Sequence, residues 1–143
     1  MILGRTNARF SKTWYRPVAG CDPEALVVCL PNFEDSVVDV SSQPALWGGL
    51  LRGYRGAFLT RSSRDLERAV SEQHAADLLE AHLIETLSCI RRPTIDLYCV
   101  RVRTQWAEAV LQGVFAALES ARQDAMVRFV GLAVENEEEA RRL

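Results

Sequence analysis

Four arginines are the side chains of this sequence best placed to do chemistry. Arg61, Arg64, Arg101 and Arg103 end or follow runs of apolar and β-branched residues, so they stand at or just past the ends of expected strands. Arg101 and Arg103 alternate, which points them to the same side. Guanidinium groups gathered on one rim suit an anion: a phosphate, a carboxylate or an acidic partner loop. The plainer reading is a solvated arginine rim paired with local acids. Asp39 ends another such run and offers Arg61 a structural partner.

The remaining reactive residues form weaker patterns. Ser41-Ser42 and Ser62-Ser63 lack the G-x-S-x-G surroundings of a hydrolase nucleophile and suit turns or helix caps. His74 and His82 share a helix face, but two turns apart rather than at metal-pair spacing, and read as surface or boundary residues. Cys21, Cys29, Cys89 and Cys99 make no C-x-x-C pair, so reduced thiols are expected and no metal site. Neither G-x-G-x-x-G nor G-K-[ST] occurs. The acids from Glu135 to Glu139 read as the first turn of a helix rather than a recognition tail.

These residues need a scaffold, and the composition bounds it. A chain of 143 residues, 48% of them hydrophobic, is expected to fold as a single domain with a true core. A net charge of −2 argues against bulk nucleic-acid binding. The apolar runs are too short for a membrane span, and MILGRTNARF lacks the layout of a secretory signal. The expectation is a soluble cytoplasmic protein. All but one of its 17 basic residues are arginine, which leaves Lys12 as the only lysine.

The elements follow from pattern. ILGRTNARFS reads as a β-hairpin turning at Thr6-Asn7, and TWYRPVAG as one short strand interrupted by Pro17. Asp22-Pro23-Glu24 starts a helix that runs to Pro31. SVVDVSS and GAFLTRSS are strands, with the short helix ALWGGLLRGY between them, weakened by Gly48 and Gly49. The longest helix is expected from about Ser63 to Ile90 and is ended by Arg91-Arg92-Pro93. TIDLYCVRV is a strand, Thr104 caps a helix from Gln105 to Gln123, VRFVGLAV is a strand, and Asn136 caps a final helix. Strands alternating with helices make a parallel α/β sheet.

Two segments carry a family resemblance. LIETLSCIRRPTIDLYCVRV is similar to the aldo-keto reductase pattern in which "S-L-x-x-L" precedes "D-Y-I-D-L-Y-x-x-H". MVRFVGLAV resembles the family's later "G-K-x-R-x-I-G-V-S-N". Thr86-Leu87, Ile90, Asp96-Leu97-Tyr98, Arg128 and Gly131 stand at matching places. ILGRTNARFS resembles the family's N-terminal hairpin, VVDVSS its "F-D-T-A", and ALWGGLLRG its "E-x-x-L-G-x-A-L". The order and approximate spacing of these segments agree along nearly the whole chain.

The resemblance implies a TIM barrel, and only part of one. Such barrels have eight strand-helix units in about 250 residues. The expectation is therefore one partial (incomplete) TIM-barrel domain over residues 1–143, with about five parallel strands alternating with helices and an N-terminal β-hairpin. The family's chemistry uses an aspartate, a tyrosine that is the general acid, a lysine that lowers the tyrosine's pKa, and a histidine that orients the carbonyl. Carried over, the aspartate falls on Asp39, the tyrosine near Pro44, the lysine on Arg61 and the histidine on Arg101. Proline has no proton to give, and arginine keeps its charge at any useful pH. The family's nicotinamide-holding "S-N" falls on Ala133 and Val134.

The functional expectation is a non-catalytic, aldo-keto-reductase-like module acting through self-association or protein contacts. A homo-oligomer, a dimer first, would cover an open sheet. No cofactor, nucleic acid or membrane is expected. Two alternatives stay open. One is an NADPH-dependent oxidoreductase whose site is completed across an oligomer interface. The other is an anion or small-ligand binder using Arg61, Arg101 and Arg103.

Overall fold

Runs of β-branched and apolar residues form the sheet, and the two sides of each strand find different covers. The computed structural model describes residues 9–10, 14–16, 22, 24–25, 28, 36–62, 66–103, 105–134 and 136–142. Among them, five strands form one parallel sheet in chain order: β1 (Trp14–Tyr15), β2 (Val37–Asp39), β3 (Ala57–Arg61), β4 (Ile95–Arg101) and β5 (Val127–Ala133). Helix α1 (Pro44–Leu50) leads from β2 to β3, α2 (Glu72–Ile90) from β3 to β4, and α3 (Glu108–Gln123) from β4 to β5; α4 (Glu137–Arg142) follows β5. Each crossover steps to the next position of the sheet, as repeated β-α-β units do. The expected alternation of parallel strands with helices is thus present.

Register carries the functional residues to one end. Asp39 pairs in register with Leu59, Arg61 with Cys99, and Arg101 with Ala133. Asp39, Arg61 and Arg101 are each the last residue of their strand. In parallel α/β folds this carboxyl end is where ligands bind.

The larger apolar cluster joins the sheet to the helices. Val38, Phe58, Tyr98 and Val100 pack with Trp47 of α1, Leu79 and Leu83 of α2, and Val110, Val114 and Leu118 of α3. Burying each such side chain contributes about 1.5–3 kcal/mol. A smaller cluster gathers Phe10, Val37, Leu59 and Leu97, with Ala57, Cys99 and Phe129 against it. The Phe10 ring meets Phe129 edge-on at 5.8 Å. Of the expected N-terminal hairpin only Arg9 and Phe10 lie within the described residues.

Helix boundaries differ from the sequence expectation in two places. The long helix begins at Glu72 rather than near Ser63: Leu66–Arg68 form a separate 3₁₀ turn, and Ser71 accepts a hydrogen bond from the His74 N–H at 3.1 Å. The apolar spacing of Leu66 and Val70 is not one stripe, because Leu66 is buried while Val70 is 87% exposed. Ser63 and Arg64 lie outside the described residues. The next helix begins at Glu108, with Ala107 extended and the buried Trp106 ahead of it. Thr104, the expected cap, lies outside the described residues.

Other boundaries agree. Arg91 ends α2 in a left-handed conformation just before Pro93. Asp22 accepts a hydrogen bond from the Glu24 N–H at 3.0 Å, as a helix start requires, and Glu24, Ala25 and Val28 are helical. The other residues of that expected helix, and Cys21 and Cys29, lie outside the described residues. Among the described residues no helix is long and apolar enough to cross a membrane.

Candidate functional site

The turn after β2 builds the site. Asp39 leaves the strand with its side chain only 12% exposed. Its Oδ1 accepts hydrogen bonds from the Ser41 N–H at 3.0 Å and from the Ser41 hydroxyl. Its Oδ2 is paired with Nη2 of Arg61 and lies 4.0 Å from Nε of Arg16. Ser41 Oγ also accepts from the Arg61 backbone N–H at 2.8 Å. Asp39, Ser41 and Arg61 therefore close a hydrogen-bonded ring across the ends of β2 and β3, charge-assisted at the Asp39 carboxylate. Burial pushes the nearby Cys99 thiol up, an effect that Arg61 opposes and Asp39 reinforces.

Pro44 occupies the first turn of α1, where its fixed φ suits the helix; Gln43 ahead of it is left-handed, at φ 57°. Arg101 ends β4 and is exposed. Arg103 lies beyond the strand, with Nη1 2.6 Å from Oε1 of Glu67. That glutamate also accepts from Gln105 at 3.1 Å. Of the sequence-expected residues, the structure brings Asp39 and Arg61 together and ties Arg103 to the 3₁₀ turn.

A cavity of about 230 Å³ opens beside the ion pair, lined by Trp14, Tyr15, Arg16, Val37, Asp39, Leu59 and Arg61. The sequence reading missed Trp14, Arg16 and the bridging role of Ser41. A second cleft of about 210 Å³ lies between α2 and α3, over Tyr98 and Met126.

The histidines separate. His74 sits in the first turn of α2, and its Nδ1 accepts from the Val70 N–H at 3.4 Å. His82 is not the surface or boundary residue expected: it is buried, with Nδ1 2.9 Å from the Tyr98 hydroxyl. Among the described residues no group of three His, Cys, Asp or Glu could hold a metal ion.

No protein-family model matches the chain, and no curated protein does. Solved structures do. A Pseudomonas aeruginosa protein ascribed to the aldo-keto reductases superposes with a TM-score of 0.75 at 19% identity, over 98% of this chain and 61% of that one. The fold is that of an aldo-keto reductase, in part. An aldo-keto reductase of Bacillus halodurans, in its holo form, gives 0.64 at 14% identity, over 83% of this chain and 43% of that one. One from Klebsiella pneumoniae in complex with NADPH gives 0.60 at 16%, over 82% and 41%. The chain thus spans between two-fifths and three-fifths of these neighbours. On the aldo-keto reductase fold, Asp39 and Arg61 end neighbouring strands, and Pro44 opens the helix that follows Asp39.

Proposed function

We propose that this chain is a non-catalytic module on an aldo-keto reductase fold, acting through protein contacts and first of all through self-association. The observation that carries the reading is the closed ring at Asp39. Both carboxylate oxygens are already engaged by Ser41 and Arg61. A phenol would be needed beside the pair for carbonyl reduction, and the matching position is a proline. Tyr15, the tyrosine bordering the cavity, packs against the helix-side core. A guanidinium is not a general acid in proteins, so an arginine–aspartate pair has no proton to pass on.

Self-association draws support from β5. Tyr98 and Val100 of β4 are almost fully buried, whereas Val130 on the next strand is 40% exposed. A second copy covering this strand would bury that surface. The free thiols of Cys89 and Cys99 suit a reducing, cytoplasmic setting.

Light scattering on the 143-residue chain, repeated with NADPH while cofactor fluorescence is followed, tests the reading. A dimer or larger assembly with unchanged NADPH fluorescence is expected, and Val130→Glu should shift the mass toward monomer. Saturable NADPH binding would favour the oxidoreductase alternative, with a site completed across an interface. A wild-type monomer would remove self-association.

A further inference from the structure

We propose that the end of the sheet opposite Asp39 and Arg61 docks a short acidic segment of a partner protein, held by Arg52, Arg55 and Arg91. This rests on the reading of the chain as a module acting through protein contacts, and adds the chemistry of one partner. Three loops make the face: residues 52–56, 91–94 and 124–126. They lead into β3, β4 and β5, which are neighbours in the sheet. The loops are tied together. Arg92 donates to the Gly56 carbonyl at 3.3 Å and to the Tyr54 carbonyl, and the Thr94 hydroxyl donates to the Ala125 carbonyl at 2.8 Å. Neighbouring strands lie about 4.8 Å apart, so the three loops spread over about 10 Å, the reach of about three extended residues.

The charges of this end do not balance. With Arg92 and Arg128, the loops and strand starts carry five arginines against two aspartates, Asp96 and Asp124. The chain as a whole has a net charge of −2. Asp96 is already engaged: Oδ2 accepts from the Phe58 N–H at 2.9 Å, and Oδ1 lies 3.9 Å from Arg128. Arg52, Arg55 and Arg91 are exposed and form no ion pair with the described residues. Like charges on adjoining loops repel one another, and a partner's carboxylates would relieve that repulsion while forming charge-assisted bonds.

The flanks decide between an acidic protein segment and a nucleic acid. Helix α2, which ends at this face, carries exposed Glu72, Asp77, Glu80 and Glu85 and no lysine or arginine. A long polyanion leaving the arginines along α2 would meet like charge. A single-stranded nucleic acid would also draw on base stacking. Here Phe58 is 1% exposed beneath the Arg92 guanidinium, and the Tyr54 ring stacks on it at 5.9 Å. A short run of carboxylates needs no stacking and stays within the arginine face.

Fluorescence anisotropy of labelled hexaglutamate tests this, with labelled hexathymidylate as the nucleic-acid counterpart. Saturable binding of hexaglutamate to the 143-residue chain is expected, weakening as salt rises because the arginines are exposed. It should be about tenfold weaker when Arg52→Gln, Arg55→Gln and Arg91→Gln are combined. Arg52→Gln with Arg55→Gln, which spares the helix cap at Arg91, should show an intermediate loss. Arg141→Gln, at the other end of the sheet, should change nothing. The replaced side chains are exposed, so the fold survives, which circular dichroism verifies. No binding by the folded wild type, unchanged affinity in the combined variant, or an equal loss in Arg141→Gln would each overturn the proposal. Hexathymidylate binding as tight as hexaglutamate would overturn it in favour of a nucleic acid. Light scattering on the same samples separates the two readings. A protein that associates but ignores hexaglutamate loses this docking face alone, and a monomer that binds hexaglutamate loses self-association alone.

Discussion

Gly48 of α1 lies so close to Cys89 of α2 that a methyl group on it would stand 2.2 Å from the Cys89 carbonyl oxygen. Its next neighbour, the Ile90 α carbon, would be at 2.5 Å. Both are backbone atoms that no rotamer change can move aside. Gly49, one residue on, has nothing within 4 Å. Gly48→Ala should therefore force α1 off α2 and cost about 1–3 kcal/mol. Gly49→Ala should gain up to about 1 kcal/mol from lower chain entropy in a helix. Urea unfolding of the two variants checks this; equal effects would mean that α1 does not pack on α2 in this way.

The same pair shows what the sequence can and cannot reveal. Read locally, Gly48 and Gly49 both weaken a helix, because the second helix that Gly48 accommodates comes much later in the chain. Strands β3, β4 and β5 were legible because their apolar, β-branched runs are long enough to have no other reading. The start of α2 was not, since Ser63 and Ser71 both make good caps and only packing separates Leu66 from Val70. His82 reads as a surface or boundary residue for a related reason: it lies among Leu79, Leu83 and Thr86 on the buried stripe, but a titratable side chain does not count toward apolar periodicity. Asp39 and Arg61 could be paired from strand ends alone. The cavity beside them could not, because it takes side chains from three strands and from Arg16 just past β1, and the short strand read in TWYRPVAG carries no sign of its place in the sheet.

His82 and Tyr98 join α2 to β4 beneath the helices. The hydroxyl and Nδ1 are 2.9 Å apart, and the rings lie 5.8 Å apart at a 42° tilt. Tyr98→Phe should cost about 1 kcal/mol through loss of this bond, and His82→Leu a comparable amount. The double variant should cost less than the sum, since neither partner then loses the other. A double-mutant cycle by thermal unfolding measures the coupling, and strict additivity would show that the two groups do not depend on each other.

Arg92 closes the opposite end of the sheet. Its guanidinium sits 3.8 Å over the Phe58 ring, donates to the Gly56 carbonyl at 3.3 Å and reaches the Tyr54 carbonyl. Burial lowers its pKa, while Asp96 and Tyr54 push the other way. The planar fork is what stacks and donates at once, so Arg92→Lys should lose roughly 1–2 kcal/mol although the charge survives. Phe58→Leu made in the Arg92→Lys background should then add only its packing cost. If lysine matched arginine in chemical denaturation, stacking on Phe58 would contribute nothing.

Cys99 makes the pH dependence of stability predictable in sign. Burial raises its thiol above the ordinary value of 9.0, with Arg61 opposing and Asp39 adding to the effect. The unfolded chain then loses this proton at lower pH than the folded chain does, so the group's contribution is complete below the unfolded value. It fades as pH climbs through the folded one. Unfolding free energy should fall as pH rises past the ordinary thiol value of 9.0, and Cys99→Ala should flatten that fall while costing packing at neutral pH. Because the thiolate is the reactive form, iodoacetamide should modify Cys99 far more slowly in the native protein than in urea. Mass spectrometry of the labelled peptides reads the site directly, and native labelling as fast as unfolded would show that the thiol is not held neutral by burial against Leu59 and Leu97.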